Sequence, residues 1–105
     1  MSTTLEVLDR HLKALEAADL AAIMDDYADD AVLLMGPQPA VGKAAIEQLF
    51  GAITASGPAT MTEDARAIEG EIAYITWHTD QIAFGTDTFV VRDGKIVAQT
   101  VAMKF

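Results

Sequence analysis

Apolar residues recur every three or four positions in the first half of the chain and every second position in the second half, which predicts helices followed by strands. Leu5, Leu8, Leu12 and Leu15 fall on one helical stripe, with Glu6, Asp9, Lys13 and Glu16 turned away from it. Thr3 and Glu6 have the spacing at which a hydroxyl and a carboxylate satisfy each other's free backbone N–H groups, so the helix starts there. Asp19 suits the cap of a second helix bearing Leu20, Ile23, Met24 and Tyr27 and ending near Asp29. The apolar run Ala31 to Met35 predicts a brief strand, stopped by Gly36, Pro37 and Pro39. A third helix is expected from about Lys43, with Ile46, Leu49, Phe50 and Ile53 inward and Ser56-Gly57-Pro58 closing it.

Beyond that point the period is two. Ala59 to Glu69 is a polar candidate strand, and Gly70 turns the chain into Ile72 to Ile82, rich in β-branched and aromatic residues. Thr86 to Arg92 and Lys95 to Phe105 flank Asp93-Gly94, a strong hairpin signal because the turn needs positive φ. The order reads as an α+β fold, three N-terminal helices packed on one face of a curved antiparallel sheet. An open sandwich of the same element order, without a cavity, has the same periodicity.

A chain of 105 residues supports one hydrophobic core, since halves of about 50 residues would bury too little surface to stand alone. One domain over residues 1–105 is expected. The net charge of −9 leaves no basic stripe, so neither nucleic acid nor an anionic membrane surface is an expected partner. The longest apolar run is far shorter than the roughly 20 residues of a spanning helix, and the acidic start does not have the form of a secretory signal. A cytoplasmic location is expected. Without cysteine there is no disulfide framework and no thiolate chemistry.

Three stretches, ALEAADLAAIMDDYADDAVLL, GKAAIEQLF and DTFVVRDGKIV, resemble in kind and order the signature regions of nuclear transport factor 2-like (NTF2-like, or cystatin-like) proteins, a group that includes SnoaL-type polyketide cyclases and bacterial ketosteroid isomerases. The resemblance implies a cone of helices closing over the sheet around an apolar pocket for a small hydrophobic molecule. It also implies a homodimer formed through the outer sheet face. Near YADDAV it is nearest the isomerases, where an Asp base moves a proton while a Tyr and a protonated Asp stabilise the oxyanion. The protonated acid would correspond to Asp87, and the oxyanion tyrosine to His11. The base should follow Asp30, yet AVLLMGPQPAVGK holds no carboxylate before Glu47. A methionine such as Met35 cannot accept a proton, and general-base catalysis contributes about 10²–10⁴-fold, so conventional steroid isomerisation is not expected. Tyr27 corresponds to a supporting tyrosine of some isomerases, and Phe50 replaces its partner.

The candidate catalytic residues are Asp87, His78 and His11. Asp87 shares a strand face with Phe89 and Val91, and inward placement would bury its carboxyl and raise its pKa. Tyr74, Thr76, His78 and Asp80 share one face of the preceding strand, whereas Ala73, Ile75 and Trp77 share the other, and a slip of one residue exchanges them. With the even set inward, His78 could replace the lost base, oriented by Asp87 or Asp80. His11 lies on the flank of the first helix. Candidate ligand-binding residues are Tyr27, Met35, Tyr74, Trp77, Phe89, Gln99, Val101 and Met103. Asp25, Asp26, Asp29 and Asp30 read as a solvated acidic face, since no Gly-centred calcium loop accompanies them, and neither metal nor cofactor is expected. The resemblance, with these residues, implies small-molecule binding with isomerase- or cyclase-type acid–base chemistry on a cyclic or carbonyl-bearing compound. A non-catalytic ligand-binding or dimerisation module is the alternative.

Overall fold

The computed structural model describes residues 2–58 and 60–105, so Ala59, the expected first residue of a strand, lies outside the described residues. Helix α1 (Thr4–Glu16) begins at the expected cap, with Thr3 Oγ1 accepting from the Glu6 N–H at 3.2 Å and Glu6 accepting from the Thr3 N–H at 2.8 Å. Its buried face is Val7, Leu8, His11 and Ala14, rotated from the leucine stripe, so that Leu5 is exposed and Leu12 and Leu15 are half-buried.

Helix α2 (Leu20–Asp25) is capped by Asp19 and stops before its expected end. Tyr27, which continues the helical spacing, instead opens β1 (Tyr27–Leu34). Tertiary pairing wins over local periodicity here: the Ile96 N–H donates to the Asp26 carbonyl at 2.8 Å, and Tyr27 pairs with Ile96. A short β2 (Pro39–Val41) precedes α3 (Lys43–Thr54), so the third helix follows two strands. The remaining strands are β3 (Thr62–Glu69), β4 (Ile72–His78), β5 (Phe84–Arg92) and β6 (Lys95–Lys104).

The six strands form one curved sheet in the order β2-β1-β6-β5-β4-β3. Its pairs are antiparallel except β1 with β6, which run parallel because the helix-bearing segment carries the chain away between them. Register shifts with extra residues on β1, on β3 and, at Val97, on β6 bend the sheet. The hairpin is as expected, with Asp93 at φ 54° and Gly94 at φ 75° joining the paired Arg92 and Lys95.

On β4 the apolar set faces the helices, since burying Ala73, Ile75 and Trp77 removes the larger apolar surface from water. The even set therefore lies on the outer face, where Ile72, Tyr74 and Thr76 stand in cross-strand rows with Val90, Thr88 and Thr86 of β5 and Ala98, Thr100 and Ala102 of β6. Those rows carry no charge. Among the described residues, no helix is long and apolar enough to cross a membrane.

Candidate functional site

Asp87 stands at the middle of β5, paired with Ile75 on β4 and Val101 on β6, and its side chain points inward with 7% exposure. Each oxygen accepts one hydrogen bond, Oδ1 from Trp77 Nε1 at 2.8 Å and Oδ2 from Gln99 Nε2 at 2.9 Å. Trp77 reaches it by lying flat over Gly85, its cross-strand partner. A Cβ at that position would be 2.4 Å from two indole carbons, so glycine is required by the contact.

The bonding continues behind Gln99. Its Oε1 accepts a short hydrogen bond from the Tyr27 hydroxyl, and the Tyr27 oxygen lies 3.3 Å from His11 Nε2. His11 Nδ1 is 3.0 Å from Asp26 Oδ2, and Arg10 Nε donates to Asp26 Oδ1 at 2.7 Å. A single chain thus runs Arg10, Asp26, His11, Tyr27, Gln99, Asp87, Trp77. Among the described residues no buried polar side-chain atom is left without a partner. Edge-on contacts of the His11 ring with Tyr27, Phe50 and Phe89 hold the chain in place.

The two carboxyl groups of this chain sit in opposite fields. Burial alone would raise Asp26, but the hydrogen bonds and charges of His11 and Arg10 outweigh it and hold the group below the usual carboxylate value. For Asp87 burial prevails over the bonds from Trp77 and Gln99 and the charge of His11, and the carboxyl is pushed up. Burial, with the charges of Asp87 and Asp26, also raises the Tyr27 hydroxyl, which stays a neutral donor.

Asp87 and Gln99 form the polar part of the wall of a cavity of about 690 Å³ between helices and sheet. Leu33, Met35, Leu49, Phe50, Ile75 and Val101 make much of the apolar wall, and Asp9, Lys13, Glu16, Glu63 and Arg66 form a more exposed rim. Arg66 spans that rim, bonded to Glu63 at 2.6 Å and Asp9 at 2.8 Å. Among the described residues, no three His, Asp or Glu side chains are grouped to hold a metal.

Of the candidates from sequence, Asp87, Met35, Trp77, Gln99, Val101 and Met103 line this cavity. Tyr27 and His11 do not reach it; they are fully buried behind Gln99, and His11 is a core residue rather than a helix-flank one. Phe89 is buried against His11, further along β5 than the wall. Tyr74 and His78 lie on the other side of β4, because Trp77 occupies the inner face. Tyr74 is 40% exposed, and His78 bonds Asp64 at 2.8 Å at the surface. Asp80 is exposed in the following turn. Asp26 departs most from expectation, being 1% exposed rather than part of a solvated face. The available signal was His11 itself: a histidine sharing a helical face with Leu8 and Ala14 needs a buried partner.

The sequence matches the model of the SnoaL-like domain over residues 8–99. No curated protein matches it. Among solved structures, an NTF-2 like protein of unknown function from Burkholderia xenovorans aligns with a TM-score of 0.82 at 21% identity, covering 96% of this chain and 82% of that one. A putative polyketide cyclase from Sinorhizobium meliloti aligns with a TM-score of 0.81 at 16% identity, covering 96% of this chain and 100% of that one. SalBIII, described as an epoxide hydrolase/cyclase-like enzyme in pyran ring formation in the polyether salinomycin, aligns at 0.84 and 15% identity, covering 97% of this chain and 91% of its own. At these identities the likeness is one of fold.

Proposed function

The chain belongs to the SnoaL-like family, and on that premise we propose that it binds a small, largely apolar cyclic molecule in the cavity and exchanges a proton with it through Asp87. One observation carries this: a buried carboxyl, raised by its surroundings, stands beside Gln99 on the largely apolar inner wall of a cavity of about 690 Å³. A ligand there places its apolar body against the wall and its one polar group on Asp87, the arrangement that small-molecule sites ordinarily have. A carboxyl raised by burial and open to a cavity is also a candidate for giving and taking a proton. Steroid isomerisation by a second carboxylate does not fit this wall, because Met35 lines it and no other carboxyl is buried there.

A thermal-shift screen with polyketide-like ketones, terpenes and cyclic amines tests the proposal. A compound at a hundred times its dissociation constant should add about 2.7 kcal/mol of stability. Stabilisation by none of them, or stabilisation that survives intact in Asp87→Asn, would count against it. A binding protein without turnover is the second reading, and it is favoured by Asp87 being the one ionisable group on the inner wall among the described residues. Ligand binding without product formation would select it.

The same chain is proposed to pair with a second copy through the outer sheet face, since the rows from Ile72 to Ala102 combine exposed Ile72 and Tyr74 with no charge. Sedimentation should give a dimer that Thr88→Arg dissociates, and a monomer at all concentrations would refute it.

A further inference from the structure

Asp87 lacks the partner that buried carboxylates ordinarily have. Both its hydrogen-bond donors, Trp77 at 2.8 Å and Gln99 at 2.9 Å, are neutral. Gln99 is not free to turn its carbonyl toward Asp87, because the Tyr27 hydroxyl donates to that oxygen and Tyr27 is itself held against His11. The cationic side chains that line the cavity, Lys13 and Arg66, belong to the rim, and Arg66 is already bound to Glu63 and Asp9. The inner wall therefore offers a ligand an acceptor fixed in orientation and set among Leu33, Phe50, Ile75 and Val101. Around it, a chain of net charge −9 draws cations and repels anions.

Resting on the reading of this cavity as a ligand site, we propose that its ligand is a small hydrophobic amine, bound as the ammonium ion with its N–H on Asp87. An ammonium supplies the charge-assisted bond that the two neutral donors leave unmade, in a setting where such a bond is strong. A ketone would set its own acceptor against the carboxylate, and its binding would require that Asp87 first take up a proton. No bond is made or broken in this step. The groups around Asp87 that can titrate are His11 of α1 with Arg10 beyond it, Asp26 ahead of β1, and Tyr27 at its start. At the rim they are Asp9, Lys13 and Glu16 from α1 and Glu63 and Arg66 from β3. Helix α3 turns only apolar side chains, Leu49, Phe50 and Ile53, toward the cavity, and β4 and β6 contribute the neutral Trp77 and Gln99 to Asp87.

1-(Dimethylamino)adamantane and 1-acetyladamantane share one shape and differ in charge, and 1-isopropyladamantane is the apolar control. In calorimetric titration of the full chain near pH 7, the amine should bind at least about tenfold more tightly than the ketone. That preference should disappear in Asp87→Asn and should decline on acidification as Asp87 takes up its proton. Asp87→Asn sets a new donor against an existing one, so the pH profile of the unsubstituted chain carries the test if the variant does not fold. A ketone that binds as tightly as the amine, or an amine preference unchanged by acid, overturns the proposal while leaving the cavity a ligand site. Failure of all three compounds to bind overturns both.

Discussion

Asp26 and Asp87 are two buried carboxyls on one hydrogen-bonded chain, and they differ in what closes them. Asp26 is bonded by a guanidinium and an imidazole, and its charge is answered within the protein. Asp87 is bonded by an indole and a carboxamide, and its charge is not. The first arrangement lowers the carboxyl and the second leaves it raised. Burial alone therefore does not mark a functional group. Asp26 is bonded by Arg10 and His11 and Asp87 only by the neutral Trp77 and Gln99, and only the second of the pair opens on the cavity.

The most damaging way to break this contrast is Asp26→Ala. It strands the buried His11 and removes the Asp26 bond of the more exposed Arg10, and should cost about 3–5 kcal/mol of stability in urea unfolding. A loss below about 1 kcal/mol would mean that Asp26 is not the brace. Next is Gly85→Ala, whose Cβ collides with the indole at 2.4 Å and must push Trp77 off Asp87. About 1–3 kcal/mol should be lost, and because Trp77 is the single tryptophan, its fluorescence should shift with it. Tyr27→Phe removes the donor to Gln99, leaving a buried carbonyl unpaired at about 1–2 kcal/mol, with ligand preference altered as well as stability.

The pH dependence sharpens the contrast further. Because Asp26 is lowered, its contribution is present above the ordinary carboxyl value near 3.9 and is lost as pH falls through its own depressed value. Because Asp87 is raised, the sign reverses: its contribution is full below the ordinary value and declines as pH rises through the raised one. Urea midpoints measured across this range should show both limbs, and Asp87→Asn should remove only the upper one. The smallest effect belongs to His78→Ala, on the far side of β4, which should change stability by less than about 0.5 kcal/mol and leave ligand binding untouched.

The fold was legible where local pattern and tertiary packing agree. The capped first helix, the third helix and the Asp93-Gly94 hairpin all follow from spacing and turn chemistry. Tyr27 shows the limit: it continues a helical period, yet sheet pairing with Ile96 claims it as a strand residue. The parallel β1–β6 pair was hidden for the same reason, since partners so far apart in the chain leave no local trace. At β4 the period of two gave two faces without saying which was inner. A replacement base at His78 needs the even set inward, whereas the bulk of Trp77 and the open space over Gly85 decided for the other set. Asp87 stood out as a carboxyl on an apolar face, but Asp26 was camouflaged by three aspartates near it in the sequence. Only its distance to His11, fifteen residues away, reveals what it does.

Side-chain carboxyl titration of the apo protein by carbon-13 NMR, with Asp26 and Asp87 assigned by substitution, reports most directly on the contrast. Asp87, buried with neutral donors, is expected to titrate above the ordinary aspartate value of about 3.9, and Asp26, bonded to Arg10 and His11, below it. Two ordinary values, or the reverse order, would show that Asp87 is answered within the protein and would leave the cavity without its polar centre.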